Sequence, residues 1–208
     1  MTNYTLTLIL SLVLIPGLLF GQSDQKSGSD KKETAPSSSN AGSDSKSDAA
    51  EQPFDVADGK LNFVAPGTWK SIKPKFDFYH AEFQIPKVDG DEQNGRITFS
   101  QVGGSIDANL DRWIGQFKAD SEDGIKKASK TIGGKKVQLL NLTGTFADGG
   151  GRAFGPKTER ENYKLIGAAI EIEGGGNVYI KAYGPANTME ANKKHIEKLI
   201  ANMKVADN

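Results

Sequence analysis

The chain has no cysteine, which removes disulfides, thiolate metal sites, iron–sulfur clusters, a thiol nucleophile and lipid attachment at a cysteine from consideration. Histidine is almost as scarce. His80 and His195 are the only two, with no His or Cys beside either, a spacing unsuited to a transition-metal site. No Gly-x-Ser-x-Gly elbow occurs, and the serines concentrate where no scaffold could orient a base. An excess of one charge is lacking too: 26 basic side chains face 26 acidic ones, which gives no electrostatic case for nucleic acid as a partner.

Residues 22–52 lack Val, Ile, Leu, Met and every aromatic, and nine of them are Ser. Such a segment cannot offset the entropy of ordering itself and reads as a disordered linker. The first 21 residues lack any charged side chain. Their apolar run, residues 6–20, is broken by Pro16-Gly17 and stops at Gly21, the pattern of a signal peptide spanning 1–21. It is shorter than the about 20 apolar residues of a membrane span. The expected location is extracytoplasmic, periplasmic or secreted, with no membrane span after cleavage. A retained anchor is the alternative, and the linker would then give a reach on the order of 30 Å.

Residues 53–208 hold both Trp and nearly all the remaining Phe, Ile and Val, enough for a single globular domain. Strand-like runs fall at 61–64, 68–72, 77–85 and 96–102, with Asn94-Gly95 as a hairpin turn between the last two. After Gly103-Gly104, the apolar positions Ile106, Leu110, Trp113, Ile114 and Phe117 trace one helical face, so a helix is expected over 105–119, capped by Ser105 or Asp107. Two further hairpins are expected, 127–132 with 135–146 and 162–173 with 177–183, turning at Gly clusters. A second amphipathic helix, 188–204, carries Met189, Ile196, Leu199, Ile200 and Met203, with Asn187 or Thr188 as cap and Glu190 completing a capping box. The expected class is α+β: a mostly antiparallel sheet of about eight short strands with two helices packed on it.

The segment Phe63-Val64-Ala65-Pro66-Gly67-Thr68-Trp69, together with this element order, resembles the PsbP-like α/β/α sandwich family across residues 54–206. The resemblance implies a fold and no activity. Arg112-Trp113 to Phe117 and Tyr183-Gly184-Pro185 resemble a group of exported bacterial proteins of planctomycete type, from which no activity carries over.

Among motifs, Gly150-Gly151-Arg152-Ala153-Phe154-Gly155 begins like a P-loop, but Pro156 removes an amide the phosphate cradle needs. The surrounding loop, 147–161, is long for a connection, and Arg152, Phe154 and Lys157 are the candidate binding residues, suited to an anionic or aromatic group. The 88–95 segment begins like a calcium loop, yet its Gly falls one place late and position twelve is Ser100, so a hairpin turn explains it better. Glu171 and Glu173 read as exposed acids on one strand face, and Lys126, Lys127, Lys130, Lys135 and Lys136 as a solvated hairpin tip. No catalytic residue, metal ligand or cofactor is assigned. The expected function is a non-catalytic binding or scaffold module for a protein or cell-envelope partner. The alternatives are an extracytoplasmic hydrolase, which would gather His80 or His195 with two carboxylates, and a membrane-tethered structural protein.

Overall fold

A computed structural model describes residues 50–74, 76–149, 155–173 and 176–206, which lie within the compact unit Ser45–Asn208. The expected signal peptide and all but the end of the expected linker therefore lie outside the described residues. The strands are β1 (Gln52–Val56), β2 (Leu61–Ala65), β3 (Lys70–Ile72), β4 (Tyr79–Ile85), β5 (Gly95–Val102), β6 (Phe117–Ala119), β7 (Ile125–Ile132), β8 (Lys135–Asp148), β9 (Thr158–Ile170), β10 (Asn177–Pro185) and β11 (Lys204–Val205). Helix α1 is Ile106–Ile114 and α2 is Ala186–Ala201. Among the described residues, no helix is long and apolar enough to cross a membrane.

The class is α+β, as the sequence implies. Its strands form two antiparallel sheets. The larger has the order β3-β4-β5-β10-β9-β8-β6, and β7 pairs with β8 beside β6; the smaller has the order β1-β2-β11. At 14 residues, β8 is long enough to pair with β9 on one edge and with both β7 and β6 on the other. It runs two residues past the expected 135–146, and β9 starts and ends before the expected 162–173. The three hairpins form where the alternation placed them, and Gly133 and Gly134 supply the positive φ values, 56° and 75°, of the two-residue β7–β8 turn.

Both faces of the large sheet are covered. The small sheet and α2 bury one face in a core of Phe63, Trp69, Phe83, Ile97, Phe99, Ile180, Met189 and Ile196 among others. Phe54, Phe63, Phe83 and Phe99 meet there at ring separations of 4.8–6.3 Å, within the range of favourable edge and offset contacts. Helix α1 covers part of the other face with Leu110 and Trp113. Trp113 lies so close over β9 that a Cβ on Gly167 would stand 2.7 Å from Cζ3 of its ring.

Several elements differ from expectation. The first helix ends at Ile114 with Gly115 as its C-cap, and Phe117 instead opens β6. Its ring lies 5.1 Å from that of Phe146, so its helical spacing was satisfied by a strand reaching the same core. Ser105 is the cap, accepting from the Ala108 amide at 3.2 Å. The second helix stops at Ala201; Met203 stays buried, and the chain turns into β11 beside β2. The expected runs at 61–64 and 68–72 enter different sheets as β2 and β3, and β1 starts on Gln52, the residue assigned to the linker's end.

The cap of α2 is supplied from elsewhere. Pro185 at its N-cap offers no side-chain bond. Asp91, from the β4–β5 loop, accepts from the Thr188 amide at 2.8 Å, the Thr188 hydroxyl at 2.6 Å and the Asn187 side chain at 3.2 Å. Glu190 does not close a capping box but pairs with Lys164. In the same loop, the positive φ falls at Gly90 rather than Gly95, which instead allows Gly184 to pack against it.

The Thr188 hydroxyl bond, with those from the Thr188 amide and Asn187, holds the Asp91 carboxyl below its ordinary pKa against the opposing cost of burial. Its contribution is therefore complete above pH about 3.8 and is lost as pH falls through the lower folded value. Asp91→Ala should cost about 1 kcal/mol at neutral pH, a difference that shrinks in urea melts run below pH 3; a pH-independent difference would reject the cap. Gly167→Ala should cost about 1–3 kcal/mol by overpacking and shift the Trp fluorescence, and unchanged fluorescence would show that Trp113 does not rest on this strand.

Candidate functional site

Strand β10 runs between β5 and β9, so its side chains alternate between two covered faces. Val178, Ile180 and Ala182 enter the core under α2, while Tyr179, Lys181 and Tyr183 point to the face that carries α1. Directly opposite, β5 places Thr98 beside Lys181 and Arg96 beside Tyr183. Register thus gathers basic and aromatic residues near the centre of the large sheet.

Lys181 is partly buried, and its ammonium lies 5.0 Å from the Tyr183 ring centre, 5.6 Å from Phe146 and 5.7 Å from Trp113. It donates to Gln116 Oε1 at 2.5 Å. Gln116 follows the α1 C-cap and is fixed by its own carbonyl, which accepts from the Ala147 amide at 2.8 Å. Burial pushes the Lys181 amine down to about 7, aided by the positive charges of Arg96 and Arg112 and opposed by Asp148. The ring faces favour the cation by about 0.5–2 kcal/mol, too little to restore an ordinary lysine.

Arg96 is paired. Its Nε and Nη2 donate to the two oxygens of the buried Glu82 at 2.8 and 2.9 Å, and Nη1 donates to the Tyr183 hydroxyl at 2.9 Å. Burial disfavours the guanidinium charge, but the bidentate pair outweighs it and holds Arg96 fully charged. Burial raises the Tyr183 hydroxyl above its ordinary range, with Arg96 pulling against it. Arg96 also lies 5.6 Å over the Tyr79 ring, which touches Phe78 at 4.4 Å and Phe76 at 6.2 Å. Phe76 and Phe78 stack at 5.4 Å while 44% and 46% exposed. An aromatic surface therefore leads from the β3–β4 connection inward to Arg96, Tyr183 and Lys181.

On the opposite face, α2 leaves the outer strands open. A concavity of about 490 Å³ is lined by Ile132, Leu139, Ile166 and Ile200 among others, and one of about 340 Å³ by Asp120, Lys126, Lys164 and Lys193 among others. Asn141 lines both, and its buried Oδ1 has no hydrogen-bond partner among the described residues.

Of the residues singled out by sequence, those that the structure describes lie apart from this cluster. Arg152 and Phe154 lie outside the described residues, and Lys157 is exposed just ahead of β9. Their loop is shorter than expected, because Ala147 and Asp148 pair with Glu159 and Thr158 as strand residues. His80 is exposed on β4 and His195 on α2, and among the described residues no three His, Asp or Glu side chains gather as a metal site. Glu171 and Glu173 are exposed beyond the end of β9, flanking the buried Ile172. Lys127 pairs with Asp111 at 3.4 Å, and Lys126 and Lys130 are exposed along β7. The signal for the missed site was Lys181 itself, a charge set between Ile180 and Ala182 in a run otherwise fit for a central strand.

No family model and no curated protein matches the chain. Among solved structures, it is similar to cyanobacterial PsbP from Synechocystis, with TM-score 0.49 and 10% identity over 80% of this chain and 98% of that one. It is also similar to a Pseudomonas aeruginosa protein of unknown function, with TM-score 0.45 and 11% identity over 76% and 99%. The Saccharomyces cerevisiae Ran-binding protein Mog1p gives TM-score 0.44 and 13% identity over 76% and 97%. At such identities these likenesses concern the fold alone.

Because Lys181 sits at about 7 when folded against 10.5 ordinarily, the unfolded chain holds one more proton between those values. Stability gained from this residue is therefore complete above pH about 10.5 and is lost as pH falls toward 7. Lys181→Met should remove that rise in urea melts between pH 7 and 10, and parallel stability–pH curves for the two proteins would contradict the depressed amine.

Proposed function

We propose that this chain is an exported, non-catalytic binding module that presents the Phe76–Phe78–Tyr79 surface to a protein or cell-envelope partner. The observation that carries the reading is the stacked and exposed pair Phe76 and Phe78, continuous with Tyr79 and the Arg96 guanidinium. Exposed aromatic groups beside a charge fixed by a bidentate pair resemble the anchors that dominate protein interfaces. Tyr79 and Arg96 cost little further ordering on binding, because the sheet already holds them.

In this reading residues 1–21 direct export and are removed, and residues 22–52 leave the domain free to reach its partner, in keeping with the resemblance to exported proteins of planctomycete type. The connection bearing Arg152, Phe154 and Lys157 is a second contact region for the same partner. The exposed and separate positions of His80 and His195 give the hydrolase alternative no support.

The test is affinity capture of the tagged, exported chain from its own cells, followed by mass spectrometry of partners and of the mature N-terminus. A stoichiometric partner is expected, with an N-terminus near Gln22. Phe76→Ser combined with Phe78→Ser should abolish capture while changing stability by less than about 0.5 kcal/mol, as for surface sites. Undiminished capture by that variant would remove the aromatic surface from the interface, and an intact leader would overturn the export reading.

A further inference from the structure

Helix α2 packs chiefly on β9, β10 and β2, which leaves the same face of β7 and β8 largely uncovered. Alternation along β8 sends Leu139, Asn141 and Thr143 to that face, while Leu140 and Leu142 enter the core under α1. Antiparallel register then sets Asn141 between Lys126 on β7 and Ile166 on β9, and Thr143 beside Lys164. The two concavities here share Asn141 and Glu197 and so form one groove with two ends. The apolar end, of about 490 Å³, is walled by Ile132, Leu139, Ile166 and Ile200. The polar end, of about 340 Å³, carries charges of both signs, Lys126 and Lys193 with Asp120 and Asp123.

At the junction of the two ends the fold leaves one polar atom unanswered. Oδ1 of Asn141 is buried and has no hydrogen-bond partner among the described residues. A buried acceptor without a donor destabilises the chain that carries it, and a ligand that brings a donor there recovers the loss. This decides between ligands. A fatty-acid anion or a phosphodiester offers only acceptors, and a polyanion would meet Asp120, Asp123 and Glu197 as well as the lysines. A sugar brings hydroxyl donors, but no aromatic ring lines either end to stack against it. A peptide bond answers fully, because its N–H can meet Oδ1 while its carbonyl accepts from Nδ2. The side chain beside that bond supplies an aliphatic group for the apolar end. Residues 22–52 of this chain carry no Val, Ile, Leu or Met to offer, which points to another chain as the source.

We propose that this groove binds an extended peptide of a second protein, with an aliphatic side chain in the apolar end and the N–H of that residue donating to Asn141 Oδ1. Asn141 is only partly buried as a residue, so a turn of its side chain brings the carboxamide toward the groove as the peptide enters. Residues flanking the aliphatic one meet the polar end, where Lys126 and Lys193 suit an acid and Asp120 and Asp123 a base. The groove lies on the face opposite Lys181 and shares no residue with the Phe76–Phe78–Tyr79 surface, so either can fail without the other.

The experiment titrates the full exported chain, labelled at amides and methyl groups, with pools of capped heptapeptides and follows the NMR signals. The central residue is Leu in one pool, N-methyl-Leu in a second and Ser in a third, with the other positions randomised. The Leu pool, at up to millimolar concentration, should shift the Asn141 side-chain amide and the methyl signals of Leu139, Ile166 and Ile200. The N-methyl pool, which lacks the donor, and the Ser pool should each bind about tenfold more weakly. Asn141→Leu should weaken the Leu pool by a similar factor and raise the thermal midpoint by about 2–4 °C, because it removes the unanswered acceptor. A lowered midpoint would make Asn141 a structural residue and overturn the proposal. Ala201→Trp, at an exposed residue lining the apolar end, should block the peptide with an unchanged circular dichroism spectrum. Equal binding of the pools, or no shift of these signals with any of them, would also overturn it, and neither outcome requires a variant to fold. So would the same shifts with sodium decanoate in place of peptide, which assign the groove to a lipid acid, or on concentrating the chain alone, which assign it to a second copy.

Discussion

Strand β10 is the constraint on which the molecule depends, because it lies between two strands and two cores at once. A strand covered on both faces must be apolar along both alternating sets, and most of β10 is: Val178, Tyr179, Ile180 and Ala182 are all essentially without exposure. The three-residue and two-residue strands at the margins rest on what this centre holds in place. Lys181 is the exception, and a cation at the middle of a sheet is costly unless something nearby answers it. Three rings and one amide do so in part.

The cover on the two faces is unequal, and that inequality leaves the candidate surfaces open. Helix α2 is 16 residues long and buries a full stripe, whereas α1 has only nine and packs chiefly through Leu110 and Trp113. Gly167 lets Trp113 settle close to β9. Beyond the reach of α1, the same face must satisfy its residues by polar pairing, as Glu82, Arg96 and Tyr183 do. The aromatic surface at Phe76 and Phe78 begins where that pairing ends.

Long-range bonds join segments that sequence holds far apart. Asp91 ties the β4–β5 loop to the start of α2, Trp69 donates to Asn192 at 3.1 Å, and Asn109 donates to the Tyr179 hydroxyl at 2.9 Å. Each satisfies a buried or terminal polar group that its own element cannot.

Much of the fold was legible in the residues. Alternation located the hairpins, Gly133-Gly134 marked a turn, Ser105 announced a cap, and the stripe from Met189 to Met203 named the residues that α2 and its exit bury, since these signals act over a few neighbours. The strands β6 and β11 were not legible, because three and two residues are too few to carry a period, and β1 was missed because it begins on Gln52, inside the segment read as linker. The cap of α2 was read as local and is not, because Asp91 is 97 residues from Thr188. The candidate site was hidden for the same reason: nothing in sequence sets Arg96, Gln116, Phe146 and Lys181 together. The sequence by itself determined which segments could form strands, helices and a core, because propensity and periodicity are local. The tertiary structure alone decided which charges share a low-polarity face, because register and packing bring them within a few ångströms, where electrostatics acts.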